Sequence, residues 1–234
     1  MAIAFLGAIV VGLTGFGSAL ITIPLATYVV PLPFALGLYA LVDLASAAAI
    51  GFENPKNAVR EEWKRLVPMI LAGTVVGVTL LVNLPRNAAL FLLGAFIVSY
   101  AAYALLSKPG HRVVSRNWAW LAGLGGGITS SVFGAGGPPY VIYLSHRGLS
   151  KEAFRATLGF TTLTSISLRV AAFLITGILL DLHVWGTAAL AVPAALVGVY
   201  VARKAYFAVS REVLMRAVAV VLLVSGSSLV IRAM

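Results

Sequence analysis

Two glycine-rich runs interrupt otherwise apolar stretches of the sequence. They read Gly12-Leu-Thr-Gly-Phe-Gly-Ser18 and Gly134-Ala-Gly-Gly-Pro-Pro139. Glycine and proline at this density break a helix. A helix that restarts after the break has unpaired N–H groups and a partial positive charge at its N-terminus, which suits an anion. The second run is the stronger candidate, because Pro138 is well placed to begin a new helix.

Two ionisable side chains lie inside apolar stretches, where water cannot solvate them. They are Asp43 and Arg169, and each costs about 2.5–3.5 kcal/mol to insert into a bilayer. Each is therefore expected to face a cavity or a partner. Arg169 could neutralise an anionic substrate, and Asp43 could carry a coupling proton. A purely structural ion pair between them is the alternative.

A patch of hydroxyl side chains accompanies these two charges. It comprises Ser46 in the first half and, in the second, Thr161, Thr162, Thr164, Ser165 and Ser167. About half of such hydroxyls are expected to bond only the carbonyls of their own helix. The predicted substrate-binding residues are Gly134, Gly136, Gly137 and Pro138 of the second run, Thr14, Gly15, Gly17 and Ser18 of the first, and Arg169, Thr162, Ser165 and Ser46.

The elements that must position these residues are apolar helices. Of 234 residues, 61% are hydrophobic and only 10% are charged, whereas soluble domains carry roughly 25% charged residues. Crossing a bilayer takes about 20 apolar residues. The stretches long enough to do so are 2–30, 34–52, 66–84, 87–106, 118–145, 152–177, 184–202 and 213–232. The sequence therefore predicts an all-α integral membrane protein.

Several other function classes are disfavoured by composition and motif. The net charge of +10 does not indicate nucleic acid, because the Lys and Arg residues sit in short loops between apolar runs. There are no cysteines and only three histidines, and no nucleophile, metal or phosphate-loop motif is present. We expect no cofactor and no catalysis. The expected partners are the lipid bilayer and a small anion, with homo-oligomerisation left open.

The two broken segments begin two related halves of the chain. With a constant offset of 119 positions, Gly15 falls on Gly134, Gly17 on Gly136 and Ser46 on Ser165. An ordered series of such matches indicates an internal duplication. The predicted division is a first membrane repeat over 1–107, a cytoplasmic linker over 108–117 and a second repeat over 118–234.

Loop charges favour a particular topology. If all eight segments span the membrane, the basic loops of the second half lie outside, against the positive-inside rule. If the two broken segments are re-entrant, the basic loops at 53–65, 107–117, 145–155 and 203–212 all face the cytoplasm. Each half then crosses three times, so the halves are inverted repeats. A long unwound spanning helix is the alternative for each broken segment.

Three stretches resemble the sulfite exporter TauE/SafE family: the run over 12–25, the run over 134–144, and Ala194-Ala-Leu-Val-Gly-Val199. The likeness covers nearly the whole chain. In the first copy Ser18-Ala19 stands where further glycine is common, which favours the second copy as the anion site. The resemblance implies a permease for sulfite or for organosulfonates such as sulfoacetate, in a prokaryotic cytoplasmic membrane, with export as the direction and proton coupling as an option.

The predicted function is therefore a secondary transporter, an exporter of small sulfur-containing anions, with the anion bound at broken-helix N-termini near the bilayer midplane. A passive anion channel through the same pore is one alternative. A membrane scaffold or enzyme is the other, although the sequence lacks a catalytic constellation.

Overall fold

The computed structural model describes residues 2–14, 17–52, 55–106, 114–205, 220, 222–224 and 226–231. All regular structure in these ranges is helical. The helices are α1 (Ala2–Thr14), α2 (Ser18–Ala26), α3 (Leu32–Gly51), α4 (Arg60–Asn83), α5 (Arg86–Leu106), α6 (Trp118–Phe133), α7 (Gly137–Ser145), α8 (Lys151–Ile175) and α9 (Leu182–Ala205), with a 3-10 turn at Pro55–Asn57.

Within the described ranges, five helices are long and apolar enough to cross a bilayer: α3, α4, α5, α8 and α9, each with at least 20 residues in the span. They coincide with five of the stretches predicted from hydropathy. The prediction of an all-α, multi-pass membrane protein is confirmed. The last predicted stretch, 213–232, lies largely outside the described residues; those described there, 220, 222–224 and 226–231, are helical.

One helix begins earlier than its hydropathy predicts. α4 starts at Arg60, although the apolar run begins at 66, because a helix continues past the hydrocarbon into the polar interface. Glu61 and Glu62 occupy its first turn, where carboxylates complement the N-terminal dipole. Trp63, expected in a loop, lies within α4 and donates its indole N–H to Thr164 Oγ1 at 2.9 Å.

Both glycine-broken segments fold as helical hairpins, one formed by α1 and α2 and the other by α6 and α7. A Cβ atom placed on Gly7 would lie 2.2 Å from Thr22 Cγ2, and one on Gly126 would lie 2.0 Å from the Tyr140 ring. Each contact joins the first helix of a hairpin to the helix that follows the break. The two helices of each pair are therefore antiparallel.

Each hairpin packs against a spanning helix from the other half of the chain. α1 lies along α9 and α6 lies along α4, while α3 and α8 meet between them. Glycines allow the α4–α6 backbones to touch: a Cβ on Gly73 would lie 2.2 Å from Leu124 O, and one on Gly127 would lie 2.4 Å from Ile70 O. This is the small-residue packing common between membrane helices, and it interlocks the two halves.

Substitution of Gly127 by alanine is expected to destabilise the protein. The added Cβ would meet backbone atoms of Ile70 and Thr74 at 2.4 and 2.8 Å, so α4 and α6 must separate, at a cost of about 1–3 kcal/mol. A lower melting temperature of the purified protein in detergent is the measurement. Gly125→Ala is the matched control, because nothing lies within 4 Å of a Cβ at that position of the same helix. Equal melting temperatures for the two variants would contradict the close packing.

Candidate functional site

The restarted helices of both hairpins open onto one cavity. Gly17 and Ser18 line it from the start of α2, and Gly136 and Gly137 line it from the start of α7. The cavity volume is about 30 Å³, whereas one water requires about 10–15 Å³. Among the described residues, no side chain caps either helix N-terminus. Two partial positive charges therefore face a small common space.

Proline limits the donors that α7 offers to this cavity. The first N–H groups of a helix have no carbonyl partner within it, and Pro138 and Pro139 carry no N–H. The unpaired backbone donors at this helix start are consequently those of Gly136 and Gly137. Gly134 makes the turn before them with φ +71°, a left-handed conformation that glycine adopts without a Cβ penalty.

Asp43 and Arg169 form a buried ion pair beside the cavity. Arg169 Nη2 lies 3.2 Å from Asp43 Oδ2, and the two residues are 0% and 5% exposed. Ser18 donates to Asp43 Oδ1 at 2.5 Å, while Arg169 Nη1 donates to the Ser130 carbonyl at 3.2 Å. That carbonyl belongs to the last turn of α6, whose dipole favours a cation. Arg169 Nε has no partner in the described structure.

The two halves of the chain contribute different chemistry at positions that the predicted duplication relates. Asp43 and Thr162 are separated by the repeat offset of 119, and both line the cavity. Thr162 Oγ1 is buried and has no hydrogen-bond partner among the residues described. The start of α2 thus contacts a carboxylate through Ser18, whereas Thr162 offers the same cavity a neutral hydroxyl.

The structure brings most of the predicted site residues together. Those that line the cavity are Gly17, Ser18, Asp43, Gly134, Gly136, Gly137, Thr162 and Ser165. Pro138 is buried in the first turn of α7, and Arg169 is paired with Asp43 behind the lining. Ser46 does not line the cavity; its hydroxyl donates to Val42 O of its own helix at 3.0 Å. Gly15 and the side chain of Thr14 lie outside the described residues.

Two polar residues that line the cavity were not singled out from the sequence. Tyr140 is fully buried and donates its hydroxyl to Ser165 Oγ at 2.9 Å. Ser130 supplies the carbonyl that holds Arg169. Tyr140 is the first residue after the Gly-Gly-Pro-Pro run, and this position, on the turn that restarts the helix, is the signal that could have identified it. A backbone carbonyl leaves no comparable signal.

A second polar cluster lies where the second hairpin ends. Glu62, only 3% exposed, accepts from Arg147 Nε at 3.0 Å and from the Tyr143 hydroxyl. Arg147 Nη1 also donates to Val114 O at 2.6 Å, and Arg116 lies 4.0 Å from Glu62. The start of α4, the segment before α6 and the turn after α7 therefore meet at one end of the molecule. These are three of the basic segments that the charge pattern predicts to share one face.

Comparison with known proteins identifies the family of the chain. The chain is 25% identical over 194 residues to "Probable inner membrane transporter protein TsaS" of Comamonas testosteroni, covering 82% of this chain and 81% of that protein. No solved structure matches. The model of the family described as "Sulfite exporter TauE/SafE" matches residues 1–229. With that match over nearly its full length, the chain belongs to the TauE/SafE family of membrane transporters.

Proposed function

We propose that this protein is a secondary transporter of small sulfur oxyanions, with the anion bound at the start of α7. The observation that supports this most directly is the cavity into which two uncapped helix N-termini open. Backbone N–H groups and the helix dipole at a helix N-terminus form a site that favours sulfate-like anions. The volume of about 30 Å³ favours a compact anion such as sulfite over an organosulfonate with a longer tail, such as sulfoacetate.

The proposed architecture is two inverted repeats over 1–107 and 118–234, joined by the segment 108–117. Paired contacts support it: α1 lies on α9 as α6 lies on α4, and α3 lies on α9 as α8 lies on α4. A hairpin followed by three crossings reverses the orientation of the next half, which is the plan of many alternating-access transporters. By analogy with TsaS, described as a probable inner membrane transporter, we place the chain in a prokaryotic inner membrane. The description of the family as sulfite exporters supports export as the direction.

Charge balance supports a proton as the coupling ion. One guanidinium, Arg169, faces one carboxylate, Asp43, in the buried pair. A bound anion adds negative charge that no second buried cation offsets in the described site. Burying an unpaired charge in this environment is costly. Uptake of a proton by Asp43 restores neutrality, so the anion and the proton are proposed to move together. In the export direction, the outward concentration gradient of the anion drives both.

The test uses purified protein in liposomes with radiolabelled sulfite. Saturable uptake and counterflow are expected, as is stimulation by an inward proton gradient. Asp43→Asn keeps an acceptor for Ser18 but cannot titrate, and it leaves the Arg169 charge without its partner, so a lower yield of folded protein is expected. Flux per folded molecule in this variant is expected to be independent of the proton gradient.

Three outcomes would count against parts of this proposal. Linear, non-saturable flux without counterflow would indicate a channel. Equal dependence on the proton gradient in the wild type and Asp43→Asn would remove Asp43 from coupling. No flux for sulfite, sulfate or sulfoacetate would refute the substrate class.

A further inference from the structure

Ser165 and Ser46 occupy equivalent positions in the two halves, yet their hydroxyls point to different partners. Ser46 donates to the Val42 carbonyl one turn earlier in its own helix, as serine in a helix commonly does. Ser165 lines the cavity. Among the described residues, its hydroxyl oxygen accepts a hydrogen bond from the Tyr140 hydroxyl, and no other bond to it is seen. The repeat symmetry is broken at this pair.

The residue that breaks the symmetry is Tyr140. Its equivalent in the first half, at the offset of 119, is Ile21, which has no hydroxyl to offer Ser46. Because the Tyr140 hydroxyl donates to Ser165 Oγ, the proton of Ser165 stays available for another acceptor. Thr162, one turn earlier on the cavity-lining face of α8, also has a buried hydroxyl with no partner in the described ranges.

Tyr140 is held in place by a glycine on the neighbouring helix of the hairpin. A Cβ on Gly126 would lie 2.0 Å from Tyr140 Cε1 and 2.7 Å from its hydroxyl oxygen. The ring therefore lies directly on the α6 backbone, and Tyr140 is 0% exposed. A side chain confined in this way keeps its hydroxyl aimed at Ser165.

We infer that Tyr140 is a positioning residue that directs the Ser165 hydroxyl towards the bound anion, and that Ser165 and Thr162 select oxyanions on the α7 side of the cavity. This rests on the proposed function. The donors are directional, and so they discriminate between an anion with oxygen acceptors and a spherical halide. The first half supplies no equivalent pair, because Ile21 leaves Ser46 bonded to its own helix.

The experiment compares Tyr140→Phe, Ser165→Ala and the double variant in proteoliposomes, with Ser46→Ala as the matched control. The apparent KM for sulfite is expected to rise about tenfold in each single variant, as loss of a hydrogen bond to a charged group would cause, with no further rise in the double variant. The inhibition constant of bromide against sulfite should change much less. Ser46→Ala should match the wild type in both constants.

Folding is monitored separately by monodispersity and melting temperature in detergent. If Tyr140→Phe does not fold, the KM of Ser165→Ala tests the inference. An unchanged KM in a folded Tyr140→Phe or Ser165→Ala protein would overturn the inference while leaving the proposed function intact. Additive effects in the double variant, or equal losses for sulfite and bromide, would also overturn it. A wild-type protein that neither binds nor moves any sulfur oxyanion would refute the proposed function itself.

Discussion

Replacing Arg169 with methionine is expected to reduce the amount of folded protein sharply and to abolish sulfite flux. Arg169 is fully buried and is the ion-pair partner of Asp43. Removing one member of a buried pair leaves the other charge uncompensated, at a cost of about 3–5 kcal/mol. The yield of monodisperse protein after extraction and the initial rate of sulfite uptake measure the two effects.

The control removes both charges at once. In Arg169→Met/Asp43→Asn neither charge of the pair remains. The amide oxygen of the asparagine can accept the hydrogen bond that Ser18 donates to Asp43 in the wild type. Folding is expected to recover, because neither charge is left buried without its partner, whereas sulfite flux is expected to remain absent. Wild-type flux in the double variant would show that the pair is purely structural.

Substitution of Gly134 by alanine is expected to have the second-largest effect, and to act on transport more than on stability. Its φ of +71° costs a residue with a Cβ about 1–2 kcal/mol. The new Cβ would also lie 2.5 Å from Ile23 Cδ1 and 2.9 Å from Arg169 Nη1. Both the turn before α7 and the guanidinium must shift. We expect more than a tenfold loss of sulfite flux in proteoliposomes.

Gly177→Ala separates backbone strain from crowding of the site. Gly177 has φ +83°, but the nearest atom to its added Cβ would be Leu180 Cδ1 at 3.7 Å. This variant should therefore show a similar loss of melting temperature with nearly normal flux per folded molecule. If it lost as much flux as Gly134→Ala, strain alone would explain both results.

Much of the fold follows from the sequence because lipid imposes a simple rule. Five of the predicted apolar stretches are helices long and apolar enough to span a bilayer, since a backbone in hydrocarbon must satisfy its own hydrogen bonds. The positions of the breaks were also predictable: Gly17 and Gly134 both adopt positive φ, at the glycine clusters identified from composition. The ends of the helices were predicted less accurately, as at Arg60, because hydropathy does not detect the part of a helix that extends into water.

The candidate site was predictable as a set of residues but not as a geometry. Asp43 and Arg169 were expected to face a cavity or each other, since neither can remain alone in lipid; the structure shows the pair beside a cavity. Ser46 and Ser165 looked equivalent in sequence, and only the tyrosine hydroxyl from another helix distinguishes them. Such a difference depends on tertiary contacts that no local pattern encodes.

The packing of each hairpin against a helix of the other half has a consequence for biosynthesis. α1 packs along α9, yet about 180 residues separate the start of one from the start of the other. At about 5–20 residues per second, α1 is in place roughly 10 to 40 s before its neighbour exists. During that interval its packing face must be sheltered by lipid or by the insertion machinery. The order of synthesis therefore differs from the order in which the final helix contacts can form.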